Sequence, residues 1–278
     1  MNKIVIKSTR SLFDLRLKQV WEYRDLLWMF VRRDFVASYK QTILGPLWFL
    51  LQPILTTIMF TFVFGNIAGI STDGMPKVLF YMSGLVIWNY FSECFNKTAN
   101  LFVSNASMFG KVYFPRLIMP LSIVTSGLIR FVIQFSLFLG ILFYFKIIGH
   151  NTVAPNLNIL YVPFLVVLMA GYALGLGMII SSLTTKYRDL SMLVGFGVTL
   201  LMYATPVIYP LNAVPDKYIA VVKANPLAPI VELFRYAFLG SGQVSESGIL
   251  YSFSCMVFLL LSGIVIFNKV EQNFMDTV

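Results

Sequence analysis

The 278-residue chain is 58% hydrophobic, 16% aromatic and only 12% charged, with a formal net charge of +9. Soluble domains carry about 25% charged residues, so a water-soluble globular domain is excluded and the chain reads as an integral membrane protein. At roughly 20 apolar residues per helical crossing, the length holds several spans and their connections but no further soluble catalytic domain of ~100–150 residues. An energy source is therefore expected on another chain or in a gradient.

Residues 11–41 are apolar in patches, with charges every few positions. Val20, Tyr23, Leu27, Phe30 and Val31 recur at helical spacing, and Lys18, Glu22, Asp25, Arg32 and Arg33 fall on the other side. That pattern predicts an amphipathic helix in the membrane interface, with Trp21 and Trp28 at headgroup level, or equally a helix packed on a soluble partner. Six apolar stretches follow, at about 44–66, 78–100, 117–145, 159–183, 190–209 and 249–267, before a tail from 268 to 278. The expected fold is all-α, with six transmembrane helices behind an N-terminal segment, residues 1–43, that carries the interface helix.

The basic residues orient that fold. With both termini on one side, fifteen of the 21 basic residues fall on the face carrying the termini, five fall opposite and Arg130 lies inside a span. The positive-inside rule then makes both termini cytoplasmic. The connection at 210–248 is no simple loop. Its residues 221–239 are apolar enough to enter a bilayer, but Asn225, Pro226 and Pro229 break them and Glu232 and Arg235 interrupt them. A re-entrant outer segment or an interfacial amphipathic helix satisfies those facts.

The chemistry is sparse. There is no P-loop, GxSxG, HExxH or CxxC motif. His150 reads as a solvated turn residue, and Cys94 and Cys255 read as small buried hydrophobes without metal-ligand spacing. The chain is expected to be a passage with no cofactor, no metal and no nucleic-acid partner. Glu93 and Arg130 lie within spans and so are functional candidates. Counted along their stretches at about 1.5 Å per residue, their depths differ by roughly 10 Å, so an ion pair between them is not expected. The aromatics Trp48, Phe49, Phe60, Trp88, Tyr90, Phe91, Tyr203 and Tyr209 suit either lipid anchoring and packing or a path on which sugar rings stack.

The run Arg32-Arg33-Asp34-Phe35-Val36-Ala37-Ser38-Tyr39-Lys40-Gln41-Thr42-Ile43-Leu44-Gly45-Pro46-Leu47-Trp48 resembles the approach to the first span in ABC-2 type permeases that export polysaccharides. The segment from Asn105 to Arg116, the run Tyr187-Arg188-Asp189-Leu190, the outer Asn225-Pro226-Leu227 with Glu232-Leu233-Phe234-Arg235, and the tail with Glu271, Phe274 and Asp276 resemble that family as well, in order and over nearly the whole chain. The nearest likeness is to permeases of O-antigen export. The resemblance implies a homodimer with two copies of a cytoplasmic ATPase, which would hold the ATP and magnesium. It also implies a coupling segment containing Asn105, Phe109 and Lys111, gate helices at 210–240 with Asn225, Pro226, Glu232 and Arg235, and a glycan cargo on undecaprenyl diphosphate. Arg32, Arg33, Lys40 and Arg116 would attract that pyrophosphate at the entrance, unless they serve topology alone. The competing readings are export of teichoic acid, capsule, a drug or a small lipid, and, from another class, a membrane glycosyl- or acyltransferase.

Overall fold

A computed structural model describes residues 17–40, 42–105, 108, 114–148, 153–187, 189–242 and 244–277. Phe109, Lys111 and His150 lie outside them. The described residues are helical, with no strand among them. Short helices α1 (Leu17–Glu22) and α2 (Arg24–Tyr39) lead in. The face of α2 read from the sequence is the one that packs. Phe30 and Val31 are buried, Tyr23 and Leu27 lie against the same cluster, and Phe30 meets Phe114 edge-on at 5.6 Å. Trp21 and Trp28 stay exposed, where their amphipathic rings suit a headgroup layer.

Among the described residues, four helices are long and apolar enough to cross a membrane: Gly45–Ile67, Ile118–Ile147, Leu157–Thr184 and Glu246–Val270. The first, α3, has its α-helical part at Trp48–Phe60 and relaxes into a π-helix at Thr61–Ile67. Next comes α4 (Lys77–Ala99), at 23 residues about 34 Å long but interrupted by Asn89, Glu93, Asn96 and Lys97. Then follow α5 (Leu101–Ser104), α6 (Ile118–Ile147), α7 (Val162–Thr184, led by a turn at Leu157–Tyr161) and α8 (Leu190–Tyr203). The fifth apolar stretch thus stops helical order at Tyr203 and not at Tyr209. Pro206 accounts for this, since it has no N–H to continue the helical ladder and disfavours helical geometry at the residue before it. Helices α9 (Asp216–Ala224) and α10 (Ala228–Leu239) realise the break read at Asn225–Pro226, and α11 (Glu246–Thr277) closes the chain.

α4 is the centre. It packs on α6, α7, α10, α3 and α8, and most of its residues are buried. This surrounding protein is why α4 tolerates polar groups that lipid would penalise. α7 lies between α4 and α11, and glycines set those distances. A Cβ on Gly175 would sit 2.7 Å from the backbone of Leu259, and one on Gly263 would sit 2.5 Å from the Gly175 carbonyl. Small residues let membrane helices approach in this way. Gly175→Ala is expected to separate α7 from α11 and cost about 1–3 kcal/mol, because backbone cannot yield as a side chain can. Gly140→Ala, whose Cβ would meet nothing within 4 Å, is expected to leave the thermal unfolding midpoint of the purified protein unchanged.

Candidate functional site

The two ends of α4 carry the polar chemistry. Phe80 and Gly84 near its start meet α10, while Glu93 and Lys97 near its other end meet α6 and α2. The 13 residues from Phe80 to Glu93 span about 20 Å, so the two constellations are separate.

At the α2 end, four helices converge on one guanidinium. Glu93 accepts Lys97 Nζ at 2.8 Å and also pairs with Nη1 of Arg130 on α6. Nη2 of Arg130 donates to the Ser38 hydroxyl on α2, and its Cζ lies 5.1 Å from the ring centroid of Phe49 on α3. Phe49 in turn stacks on Phe35 at 5.6 Å. The expectation that Glu93 and Arg130 stay apart is therefore corrected. α6 has 30 residues and is about 45 Å long, well beyond a hydrocarbon thickness of about 30 Å. α2 packs along α6, and a helix longer than the layer does not mark the layer's edge with its first residue, so a depth counted from Ile118 does not fix that of Arg130. Beside this cluster, Arg33 donates from Nε at 2.9 Å and from Nη2 at 2.8 Å to the same Oδ1 of Asp34. A cleft of about 240 Å³ opens here, with Arg33, Asp34, Lys97, Ser104 and Asn105 among its lining.

The structure does not bring the four cations read as a pyrophosphate entrance into one cleft. Arg33 lines the cleft, Arg32 and Lys40 are exposed and not part of its lining, and Arg116 is buried in the turn before α6. Lys97 takes a place on the cleft wall that sequence reasoning missed. The Glu93–Lys97 spacing of four within one apolar stretch is the signal that identifies it.

At the other end, α10 supplies a buried pair. Arg235 Nη1 donates to Glu232 Oε1 at 2.9 Å, with the two side chains only 1% and 3% exposed. Nη2 of Arg235 donates to the carbonyls of Pro206 at 2.9 Å and Val207 at 3.0 Å, and its guanidinium lies 3.9 Å over the Phe80 ring. Asn225 donates through Nδ2 to Thr205 Oγ1 at 2.8 Å and to the Ala204 carbonyl at 3.1 Å, and its Oδ1 accepts the Leu227 N–H at 3.0 Å. The Pro226 carbonyl accepts the Ser252 hydroxyl of α11. Asn225, Pro226, Glu232 and Arg235 are thus brought together around the turn that follows α8, where Asn225 and Arg235 satisfy the carbonyls of Ala204, Pro206 and Val207. Gly84 makes room for this, since a Cβ there would lie 2.8 Å from the Val207 carbonyl.

The aromatics divide by environment. Trp88, Tyr90 and Phe91 are buried among neighbouring helices and form part of the core of this chain. Phe60 packs edge-on against Phe64 and Tyr81, and Tyr209 donates to the Tyr203 carbonyl at 3.0 Å. Trp48 at 46% and Tyr203 at 50% exposure belong to the outward faces of α3 and α8, alongside Ile58, Phe62, Phe196 and Leu200. Cys94 lies buried against Gly127, and no group of three or more His, Cys, Asp or Glu able to hold a metal occurs among the described residues.

A helical bundle with four apolar crossing segments, an amphipathic leading helix and polar clamps at both ends of a buried central helix is the architecture of a multi-pass membrane protein. Residues 25–239 match the model of the ABC-2 type transporter, and the chain belongs to that family. Over 253 residues it is 27% identical to an O-antigen export system permease protein RfbA of Klebsiella pneumoniae, covering 91% of this chain and 94% of the relative. The Myxococcus xanthus protein of the same description is 25% identical over 265 residues, covering 94% and 98%. The polysialic acid transport protein KpsM of Escherichia coli is 22% identical over 243 residues, covering 86% and 91%.

Proposed function

We propose that the chain is the transmembrane permease subunit of an exporter that moves a lipid-linked polysaccharide of O-antigen type across the bacterial inner membrane, powered by a separate cytoplasmic ATPase. The observation that carries this reading is full-length similarity to permeases named for O-antigen export, with no large segment left over on either side. In this reading α4 and α8 join the four apolar helices to make six spans, both termini are cytoplasmic, and α9 with α10 forms the outer gate. Two copies meet through the outward faces of α3 and α8, where exposed aromatic and aliphatic side chains need covering. The undecaprenyl diphosphate headgroup enters near the cleft at Arg33 and Lys97, because a pyrophosphate does not cross hydrocarbon without compensation. The α2 helix and the segment beginning at Asn105 receive the ATPase movement, and the permease itself binds no nucleotide.

Deleting the gene is expected to remove the polysaccharide from the cell surface and accumulate it on the cytoplasmic side, and restoring the gene returns it. Surface polysaccharide unchanged in amount and length after deletion would refute the proposal.

A further inference from the structure

Helix α8 is attached to the rest of the chain in a way its neighbours are not. Of its 14 residues only Val194 and Val198, one turn apart on one face, are buried, whereas α4 and α7 bury most of theirs. Its attachment therefore depends on its two ends. Near α10, Arg235 donates to the carbonyls of Pro206 and Val207 just past the helix, and Asn225 donates to the Ala204 carbonyl and the Thr205 hydroxyl. Those bonds pin that end, two of them coming from a buried cation. At the opposite end, one side-chain hydrogen bond among the described residues ties the first turn of α8 to another helix. The Ser191 hydroxyl donates to Oδ1 of Asn100 at 2.5 Å.

Asn100 is held ready for that bond. Its Nδ2 donates to the Asn96 carbonyl at 2.9 Å, which leaves Oδ1 turned to Ser191. The backbone beside it is fixed on α7, because the Thr184 hydroxyl donates to the Ala99 carbonyl at 3.0 Å and a Cβ on Gly177 would lie 2.6 Å from that of Thr98. From Asn100 the chain turns into α5, where Leu101 and Phe102 are buried and Phe102 stacks on Phe267 of α11 at 4.8 Å. One partner in the bond thus belongs to a junction of α4, α7 and α11, and the other to a helix with little burial of its own.

Elements that move are drawn from the parts of a fold with few buried apolar contacts. A helix pinned at one end and held at the other by a neutral bond moves by swinging about the pin. Ser191 and Asn100 are only partly buried, so water replaces each partner when the bond opens, and opening is cheap. A second copy covering the outward face of α8 leaves this asymmetry in place, since the bonds at both ends lie within one chain.

We infer that Asn100 and Ser191 form a latch that positions α8. Closed, it holds the helix against α4; open, it lets the helix swing about its end near α10 once per transport cycle. The inference rests on the proposed export function, which supplies the cargo and the ATPase stroke. The segment beginning at Asn105 is only one short helix, α5, beyond Asn100, so a movement received there arrives at the latch directly. Both residues are positioning residues and act through α8.

The test uses the complete transporter, the chain with its cytoplasmic ATPase, in lipid nanodiscs. Asn100→Cys and Ser191→Cys, on a Cys94→Ala and Cys255→Ala background, are joined by a short bifunctional thiol reagent, and the cross-linking rate is followed without nucleotide and after trapping with ATP and vanadate. Trapping is expected to slow cross-linking about tenfold, as the closed population is vacated. In a second arm, Ser191→Ala is expected to lower surface polysaccharide about fivefold at equal membrane abundance, the population change carried by one ordinary hydrogen bond, with an unchanged thermal unfolding midpoint. Ser191→Thr keeps the hydroxyl and is expected to recover most of the export. Cross-linking at the same rate with and without trapped nucleotide overturns the latch and makes the bond a static fastening. A Ser191→Ala loss that follows a lowered unfolding midpoint overturns it as well. Cross-linking needs ATP but no cargo, so a transporter that opens the latch on ATP yet restores no polysaccharide to a deletion strain counts against the export reading and leaves the latch standing.

Discussion

Arg235→Met is expected to destabilise the protein by about 3–5 kcal/mol, the cost of leaving a buried charge without its partner. Three losses coincide at this position. Glu232, 3% exposed, keeps its charge in an apolar setting without its cation. The carbonyls of Pro206 and Val207 lose the donor that satisfies them at the end of α8. The Phe80 ring loses a cation stacked at 3.9 Å. The expected readout is a lower unfolding midpoint in detergent and less protein in the membrane. Arg235→Lys restores the charge but not the planar fork that reaches a carboxylate and two carbonyls together, so partial recovery is expected. The double variant Glu232→Leu with Arg235→Met removes the unpaired carboxylate and recovers most of the loss, though not all of it, because two carbonyls still lack a donor at about 1–3 kcal/mol each. A single Arg235→Met variant within about 0.5 kcal/mol of wild type would mean that the pair does not hold α8 to α10.

The sequence conveyed the fold class and most helix positions because hydropathy and helical period are local properties. The apolar stretch at 117–145 and the helix Ile118–Ile147 nearly coincide, and the packed face of α2 was visible in the spacing of Tyr23, Leu27, Phe30 and Val31. The broken segment around Asn225–Pro226 was legible for the same reason, since proline and asparagine act on the backbone where they stand. What the sequence hid depends on neighbours. Trp88 and Phe91 have the same composition signature whether they face lipid, a path or α7, and only packing shows that they are enclosed. Tyr203 is still helical while Tyr209 is not, because the hydropathy of residues 190–209 is continuous across Pro206 and the backbone is not. The Glu93–Arg130 contact was hidden by an assumption about depth. A 30-residue helix is longer than the hydrocarbon is thick, so depth cannot be indexed from its first residue. The bond between Asn100 and Ser191 joins residues 91 positions apart, and no motif announces it.

Arg130→Gln is expected to separate transport from stability. Arg130 touches three other helices: α4 through Glu93, α2 through Ser38 and α3 through Phe49. Its loss leaves Glu93 with Lys97 at 2.8 Å in a partly exposed setting, so the carboxylate is not stranded as Glu232 would be. The stability cost should therefore be near 1–2 kcal/mol, below that of Arg235→Met. Transport depends on something else. If α2 receives the ATPase stroke, as the proposed function requires, the stroke reaches the spans through the contacts that α2 makes. Among those contacts, Ser38 to Arg130 is a polar one that continues directly into the central helix α4. Without it, α2 is expected to move with less effect on α4, lowering surface glycan about tenfold at equal membrane abundance, while ATP hydrolysis by the complex continues uncoupled from export. Ser38→Ala cuts only the α2 arm and should show the same uncoupling with almost no stability loss. A double cycle of Glu93→Gln and Arg130→Gln should give a coupling energy within the range of about 0.5–3 kcal/mol seen for side chains in contact. Export and hydrolysis that fall in proportion to protein stability across all three variants would show a fastening of the bundle and no route for the stroke.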